Sequence, residues 1–269
     1  MEIIVCIKPV LDPDLPPAKF AVDGKNNKVV PPEGMPLVVN PYDLLAVEAA
    51  VRIKEAKGGK ITVITLGTVN AEEAVRKALA MGADDAAILD DGAFAASDGF
   101  GTAYALVQAV KKIGAFDLVL CGRQAADWDS GIVGSAMAEY LGIPVITRAK
   151  SIEITDNGQK PELRAERIVM NGSEVYECGL PALVTLSNEM GQARIPSGWG
   201  IITAAKKQIA RWKAADINAD AAKTGPAAVR NSLLKLYVPV YQRTCEMVAG
   251  KDPDEAVAKL AEKIIAIRP

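Results

Sequence analysis

The chain has 269 residues and a net formal charge of −2; half of it is apolar and only 5% is aromatic. That length suffices for one large domain or one and a half small ones, and the near-neutral charge lacks the basic footprint of a nucleic-acid binder. The sequence contains no histidine. Ser–His and Cys–His nucleophilic sites and His metal ligands are therefore excluded, and any chemistry falls to carboxylates, lysines or a bound cofactor.

No apolar run reaches the roughly 20 residues of a membrane span. The N-terminus enters an apolar strand at once, without the basic region and cleavage site of a secretory signal, so a cytoplasmic location is expected. Cys6, Cys121, Cys178 and Cys245 form no CxxC pair. No metal site is expected from them; they read as reduced structural thiols.

Glu2 to Lys8 is a short apolar, β-rich run, and Leu37 to Val39 reads as a second. Asp43 to Lys57 carries apolar residues at helical spacing, and Lys60 to Leu66 (KITVITL) is a strand. Asn70 is placed to cap a helix with Glu72 and Glu73 in its first turn, running to about Met81 before Gly82. Then come a strand at Ala86 to Leu89, a helix at Gly101 to Ile113, a strand at Asp117 to Cys121, a helix at Ser130 to Leu141 and a strand at Pro144 to Thr147. Continuous apolar strands alternating with helices predict a doubly wound parallel sheet covered on both faces. Ligands of such sheets sit beyond the carboxyl ends of the strands.

After residue 150 the pattern changes. Ser151 to Thr155, Leu163 to Val169, Glu174 to Cys178 and Ala182 to Ser187 read as successive strands added antiparallel to the core, followed by a short helix from Ser197 to about Thr203. Residues 208 to 231 read as a long extended connection broken at Gly225–Pro226, better suited to an arm on a partner than to a compact domain. Asp254 to Ile267 is a final amphipathic helix, with Pro253 suited to its start. The expected division is an α/β domain over 1–207 and an arm with a terminal helix over 208–269.

Three segments carry candidate chemistry. The first runs from Gly122 through Arg123, Gln124, Ala125, Asp127, Trp128, Asp129, Ser130, Gly131, Ile132 and Val133 to Gly134. It follows a strand and opens a helix, where small residues and free N–H groups suit phosphate; a plain loop with Asp129 or Ser130 as helix cap is the competing reading. It matches neither a Walker A loop nor GxGxxG. The second is Asn40-Pro41-Tyr42-Asp43, which by itself is explained as a turn with Asp43 in the first helical turn. The third is the polar loop from Ser187-Asn188-Glu189 to Pro196-Ser197-Gly198-Trp199, in which Trp199 is either an exposed contact residue or folded onto the core.

Together these segments resemble the electron-transfer flavoprotein beta family. Val5 to Asp12 is similar to its VKxVxD start, Val39 to Glu55 to its NPxxxxAVExAxxLKE segment, Ala78 to Asp84 to ALAMGAD, Leu120 to Gly134 to its GxQAxDxDxxxxG loop, and Pro181 to Glu189 to the strand entering its recognition loop. The resemblance spans essentially the whole chain. It implies an adenine-nucleotide alpha-hydrolase-like fold and a heterodimer with an alpha subunit that carries FAD. It also implies a nucleotide here, AMP in ordinary members and a second FAD in electron-bifurcating ones. Cys6, Asn40, Pro41, Tyr42, Asp43, Leu66 and Gly122 to Val133 would line it, with Cys6 and Leu66 bracketing the adenosine, Asp127 bonding ribose or neighbouring amides, and Arg123 placed to tune a flavin.

The loop Asp127 to Gly134 keeps two Asp, a hydroxyl and the Val-Gly of the bifurcating pattern but departs at Trp128 and Ile132; FAD is preferred over AMP. In the recognition loop the apolar anchor falls at Ile195, followed by Pro196. The resemblance further implies a flavin dehydrogenase of the acyl-CoA dehydrogenase kind as a partner, with NADH and ferredoxin, or a membrane quinone reductase, at the other end of the electron path. The reading from another class is a stand-alone ATP- or AMP-binding module of the universal-stress kind.

Overall fold

The computed structural model describes residues 1–16, 19–156, 158, 160–240 and 245–267. Strand β1 is Glu2–Cys6. The chain then makes two short pairings, β2 (Pro9–Val10) with β5 (Val38–Val39) and β3 (Ala21–Asp23) with β4 (Lys28–Val30), before helix α1 (Pro41–Lys57). Next come β6 (Lys60–Leu66), α2 (Glu72–Met81), β7 (Asp85–Leu89), α3 (Gly99–Ile113), β8 (Leu118–Gly122) and α4 (Val133–Leu141). The second half holds β9 (Val145–Asp156), β10 (Pro161–Val169), β11 (Gly172–Gly179), β12 (Ala182–Leu186), α5 (Gly198–Lys206), β13 (Ala210–Trp212) and α6 (Pro253–Ile267).

Nine strands form one sheet in the order β11-β10-β9-β12-β8-β1-β6-β7-β13. Pairings from β9 to β13 are parallel; only β10 and β11 run antiparallel to their neighbours. Side chains alternate between two cores, as period-2 geometry requires. Ile3 and Val5 of β1, with Leu118 and Leu120 of β8, join α1 and α2 on one face. Ile4, Cys6, Val119 and Cys121 join α3 and α4 on the other. Each fully buried Ile, Leu or Val contributes about 1.5–3 kcal/mol. The doubly wound α/β fold is thus as expected.

Several local expectations differ. Ala182 to Ser187 is not an antiparallel addition: β12 lies parallel between β8 and β9, and its five residues are all buried, as a strand covered on both faces requires. The runs at Pro144 to Thr147 and Ser151 to Thr155 are one strand, β9. Asn70 does not cap α2; it lies within a 3₁₀ turn, and Ala71 stands at the cap without a side-chain bond. The connection after residue 207 is not extended throughout. It starts with β13 on β7, and three 3₁₀ turns follow at Ala215–Ile217, Ala221–Lys223 and Gly225–Ala228, with Ile217 buried in the core.

Cys6 and Cys121 are buried, Cys178 half-buried and Cys245 exposed, all as free thiols. Among the described residues, no helix is long and apolar enough to cross a membrane, and no cluster of Cys, Asp or Glu could hold a metal ion.

Candidate functional site

From β1 the chain moves outward to β6 and β7, then returns to place β8 on the opposite side of β1. The connections leaving β1 and β8 therefore diverge at the carboxyl edge, and ligands of open α/β sheets bind in the crevice this creates. One wall holds Lys8 and the turn from Asn40 to Asp43; the other is the loop from Gly122 to Val133.

Two polar side chains join the walls from below. Asn40 is fully buried and precedes Pro41, whose ring suits the first helical position. Its carboxamide does not cap α1. It donates to Gln124 O at 2.8 Å and accepts from Ala126 N at 3.1 Å, 84 to 86 residues away in sequence. Asp43, in the first turn of α1, accepts Lys8 N at 2.7 Å on one carboxylate oxygen and Gly122 N at 2.8 Å on the other. Burial pushes this carboxyl up to about 7, against the opposing pull of hydrogen bonds from Asn40, Lys8 and Gly122 and the charge of Lys8. Gly122 is required here: a Cβ would stand 2.5 Å from Asp43 Oδ1 and 2.6 Å from Tyr42 Cβ.

The loop above this floor is braced at its sides and open at its tip. Lys8 Nζ pairs with Asp127 at 2.6 Å, and Gln124 Nε2 donates to Asp129 Oδ1 at 2.8 Å. Residues 127–131 are exposed, Trp128 outward at 56%. Helix α4 begins at Val133, three residues later than the sequence pattern indicates. Ser130 and Gly131 precede the helix, and neither Asp129 nor Ser130 caps it; Ile132 occupies the cap position with no side-chain bond. The first-turn amides of α4 thus lack the side-chain acceptor that usually closes a helix start. Gly134 lets this turn lie against β8 and β12, since a Cβ there would meet Thr185 Cγ2 at 2.6 Å and Cys121 Sγ at 2.9 Å.

Cys6 and Leu66 end their strands at this edge. The Cys6 side chain turns into the core, its thiol 3.9 Å from Met137 Sδ, and burial, with Cys121 and Asp43 nearby, holds it well above its ordinary value. Leu66 is half-buried against the same core. Arg123 turns back from the crevice: its guanidinium lies over the Tyr42 ring, 5.1 Å from the centroid, and donates to Ser187 Oγ at 3.2 Å.

The third segment starts where β12 ends. Asn188–Met190 is a 3₁₀ turn, and Glu189 accepts a short hydrogen bond from Ser187 Oγ. Ile195 is 92% exposed, with Pro196 beside it. Ser197 caps α5 by accepting Gly200 N at 3.0 Å, and Trp199 in its first turn is 77% exposed rather than folded onto the core.

Sequence reasoning missed the residues that hold this segment. Arg194 bonds Glu48 through its amide at 3.1 Å and its Nε at 2.7 Å, and Glu55 through Nη2 at 2.9 Å. Glu48 is 3% exposed on α1; burial alone would raise its pKa, but bonds from Arg194 and Arg52 hold it below its ordinary value. A carboxylate at a core-facing helical position was the available signal. Lys8 was missed as a partner of Asp127 because a 119-residue separation leaves no local pattern.

Comparison with known proteins adds to this geometry. Residues 29–217 match the electron transfer flavoprotein domain. The chain is 39% identical over 265 residues to "Electron transfer flavoprotein subunit beta" of Thermoanaerobacterium thermosaccharolyticum, covering 98% of each chain. It is 36% identical over 265 residues to "Caffeyl-CoA reductase-Etf complex subunit CarD" of Acetobacterium woodii, again covering 98% of each. It is also 36% identical over 264 residues to "Protein FixA" of Bradyrhizobium diazoefficiens, covering 96% of this chain and 90% of that one.

Proposed function

The chain belongs to the electron transfer flavoprotein family as a beta-type subunit, and from that premise we propose that it pairs with an alpha subunit and holds an adenine nucleotide, FAD, in the crevice between Asn40 and Gly134. The observation that carries this reading is the open helix start: α4 faces the crevice at the switch point of the sheet with no side-chain cap.

The residues fit such a ligand. Backbone N–H groups at Val133 and Gly134, aided by the helix dipole, suit a phosphate. Asn40 and Asp43 hold the base of the loop, at Gly122, Gln124 and Ala126, from beneath, so that base is set before a ligand arrives. Lys8 is tied to Asp127, which leaves the loop's tip, with Trp128 and Ser130, as the rim. A bound FAD would supply the electron chemistry, and the protein supplies position and electrostatics. Preference for FAD over AMP rests on the retained Asp127, Asp129, Ser130 and Val133-Gly134 pattern.

The segment from Asn188 to Trp199 is read as the face shown to a flavin dehydrogenase, with exposed Ile195 as its apolar anchor. A relative named for a caffeyl-CoA reductase complex favours a CoA-ester dehydrogenase. Residues beyond Ala228 and helix α6, whose Val257, Leu260, Ile264 and Ile265 are exposed, are assigned to the alpha subunit. Co-expression with the alpha subunit tests the reading: a yellow complex with a flavin spectrum is expected, and a colourless chain that retains no partner would overturn it.

A further inference from the structure

Two segments assigned above to different tasks are wired together. Arg123 is the second residue of the nucleotide loop, yet its backbone N–H donates to Leu186 O at 2.9 Å and its guanidinium to Ser187 Oγ at 3.2 Å. Ser187 is fully buried and passes its own hydroxyl proton toward Glu189. Bonds from Ser187 and from the Glu189 backbone, and the charge of Arg123, hold the Glu189 carboxyl below its ordinary value against the opposing effect of its burial. One short chain, Arg123–Ser187–Glu189, therefore runs from the nucleotide loop to the first turn of the partner-facing segment.

The chain also has slack. Arg123 Nε is cut off from solvent and has no hydrogen-bond partner. A guanidinium is a rigid planar fork, so any rotation that satisfies Nε also shifts Nη1 relative to Ser187. Asn40 and Asp43 hold the base of this loop, while its tip at 127–131 is exposed; the tip, and with it the slack at Arg123, is what a nucleotide would fix.

We propose that nucleotide occupancy of the Gly122–Gly134 loop orders the partner-facing segment 187–196 through Arg123, Ser187 and Glu189. Fixing the loop holds Arg123 on Ser187, Ser187 on Glu189, and so the turn that leads to Ile195. A partner then meets a segment whose ordering cost has already been met, which is positive coupling between two sites. The chain would present its docking face when loaded and a looser one when empty. This rests on the reading of the two segments given under the proposed function.

Amide hydrogen exchange tests it on the full-length chain in its purified complex, freed of nucleotide and then titrated with FAD or with AMP. In the wild type, exchange across 187–196 is expected to slow about fivefold on loading, at the low end of ordinary coupling between sites. In Glu189→Ala, at an exposed position, and in Ser187→Ala, that difference disappears while both variants still bind the nucleotide. Binding without a change across 187–196, or a change that both variants retain, overturns the coupling. No binding of either nucleotide overturns the nucleotide reading itself, and the coupling falls with it.

Discussion

Helices α3 and α4 make an instructive pair. Both follow a parallel strand, start at the carboxyl edge of the sheet and pack on the same face. At α3 the start is closed: Asp98 accepts Phe100 N and Gly101 N at 2.9 and 3.0 Å, and its other oxygen takes Arg230 N and Asn231 N at 2.7 and 3.2 Å. At α4 the cap position is Ile132, whose side chain can accept nothing. One helix start serves stability and ties down residues 230–231; the other has no side-chain cap, as a proposed phosphate site requires. The first turn of α1 is a third case, since Asp43 there reaches outward to both walls of the crevice.

The two helix starts can be exchanged. Ile132→Asp gives α4 the cap that α3 has and puts a negative charge where phosphate would lie. Nucleotide affinity by calorimetry is expected to fall at least about a hundredfold, since charge-assisted hydrogen bonds contribute roughly 1.5–3 kcal/mol each. The ligand-free protein is expected to gain about 1 kcal/mol from the new cap.

Asp43→Asn comes next. An amide can accept only one of the two N–H bonds, so a loss of about 1–3 kcal/mol in urea unfolding is expected. The substitution also removes a pH dependence. Burial raises the Asp43 carboxyl from 3.8 to about 7, so the folded state binds this proton more tightly than the unfolded state. Its contribution to stability is full below 3.8, declines as pH rises to about 7, and is flat above that. Unfolding at pH 5 and pH 8 should show this decline in the wild type and not in the variant. Asp98 has the opposite sign: burial works against its charge, but four backbone N–H bonds hold it below its ordinary value. Its stabilisation is present above the carboxylate range and is lost on acidification.

Asp98→Ala then sharpens the contrast. A cost of about 0.5–2 kcal/mol in stability is expected from the lost cap, with nucleotide affinity unchanged. Lys8→Ala is the smallest effect. The Lys8–Asp127 pair is 44% and 31% exposed, and such pairs are worth about 0–1 kcal/mol, so a slight rise in the dissociation constant, removed by salt, is expected.

Local pattern made the parallel core legible. Lys60–Leu66 and the end of the helix at Met81 before Gly82 are strong short-range signals; the strand's bounds and the helix's end hold in the structure, while its start does not. What pattern could not show was pairing across the chain. β12 follows two antiparallel strands, and its sequence pattern reads as another, although its unbroken burial is that of a central parallel strand. β13 is the three-residue run Ala-Arg-Trp and owes its existence to the edge of β7. At the site, Asn40 and Asp43 have sufficient local explanations as a turn and a first-turn acid. Their reach to Gln124, Ala126 and Gly122 depends on contacts about 80 residues apart. The start of α4 moved from Ser130 to Val133 for a related reason: left-handed Asp129, at φ 51°, prolongs the loop.

The most direct test of the central claim is to denature the purified complex with its alpha subunit and quantify the released nucleotides, for the wild type and for Ile132→Asp. The account predicts two FAD per heterodimer in the wild type and loss of one in the variant. One FAD with no second nucleotide in the wild type, or a second nucleotide that Ile132→Asp leaves in place, would contradict a site built on the open end of α4.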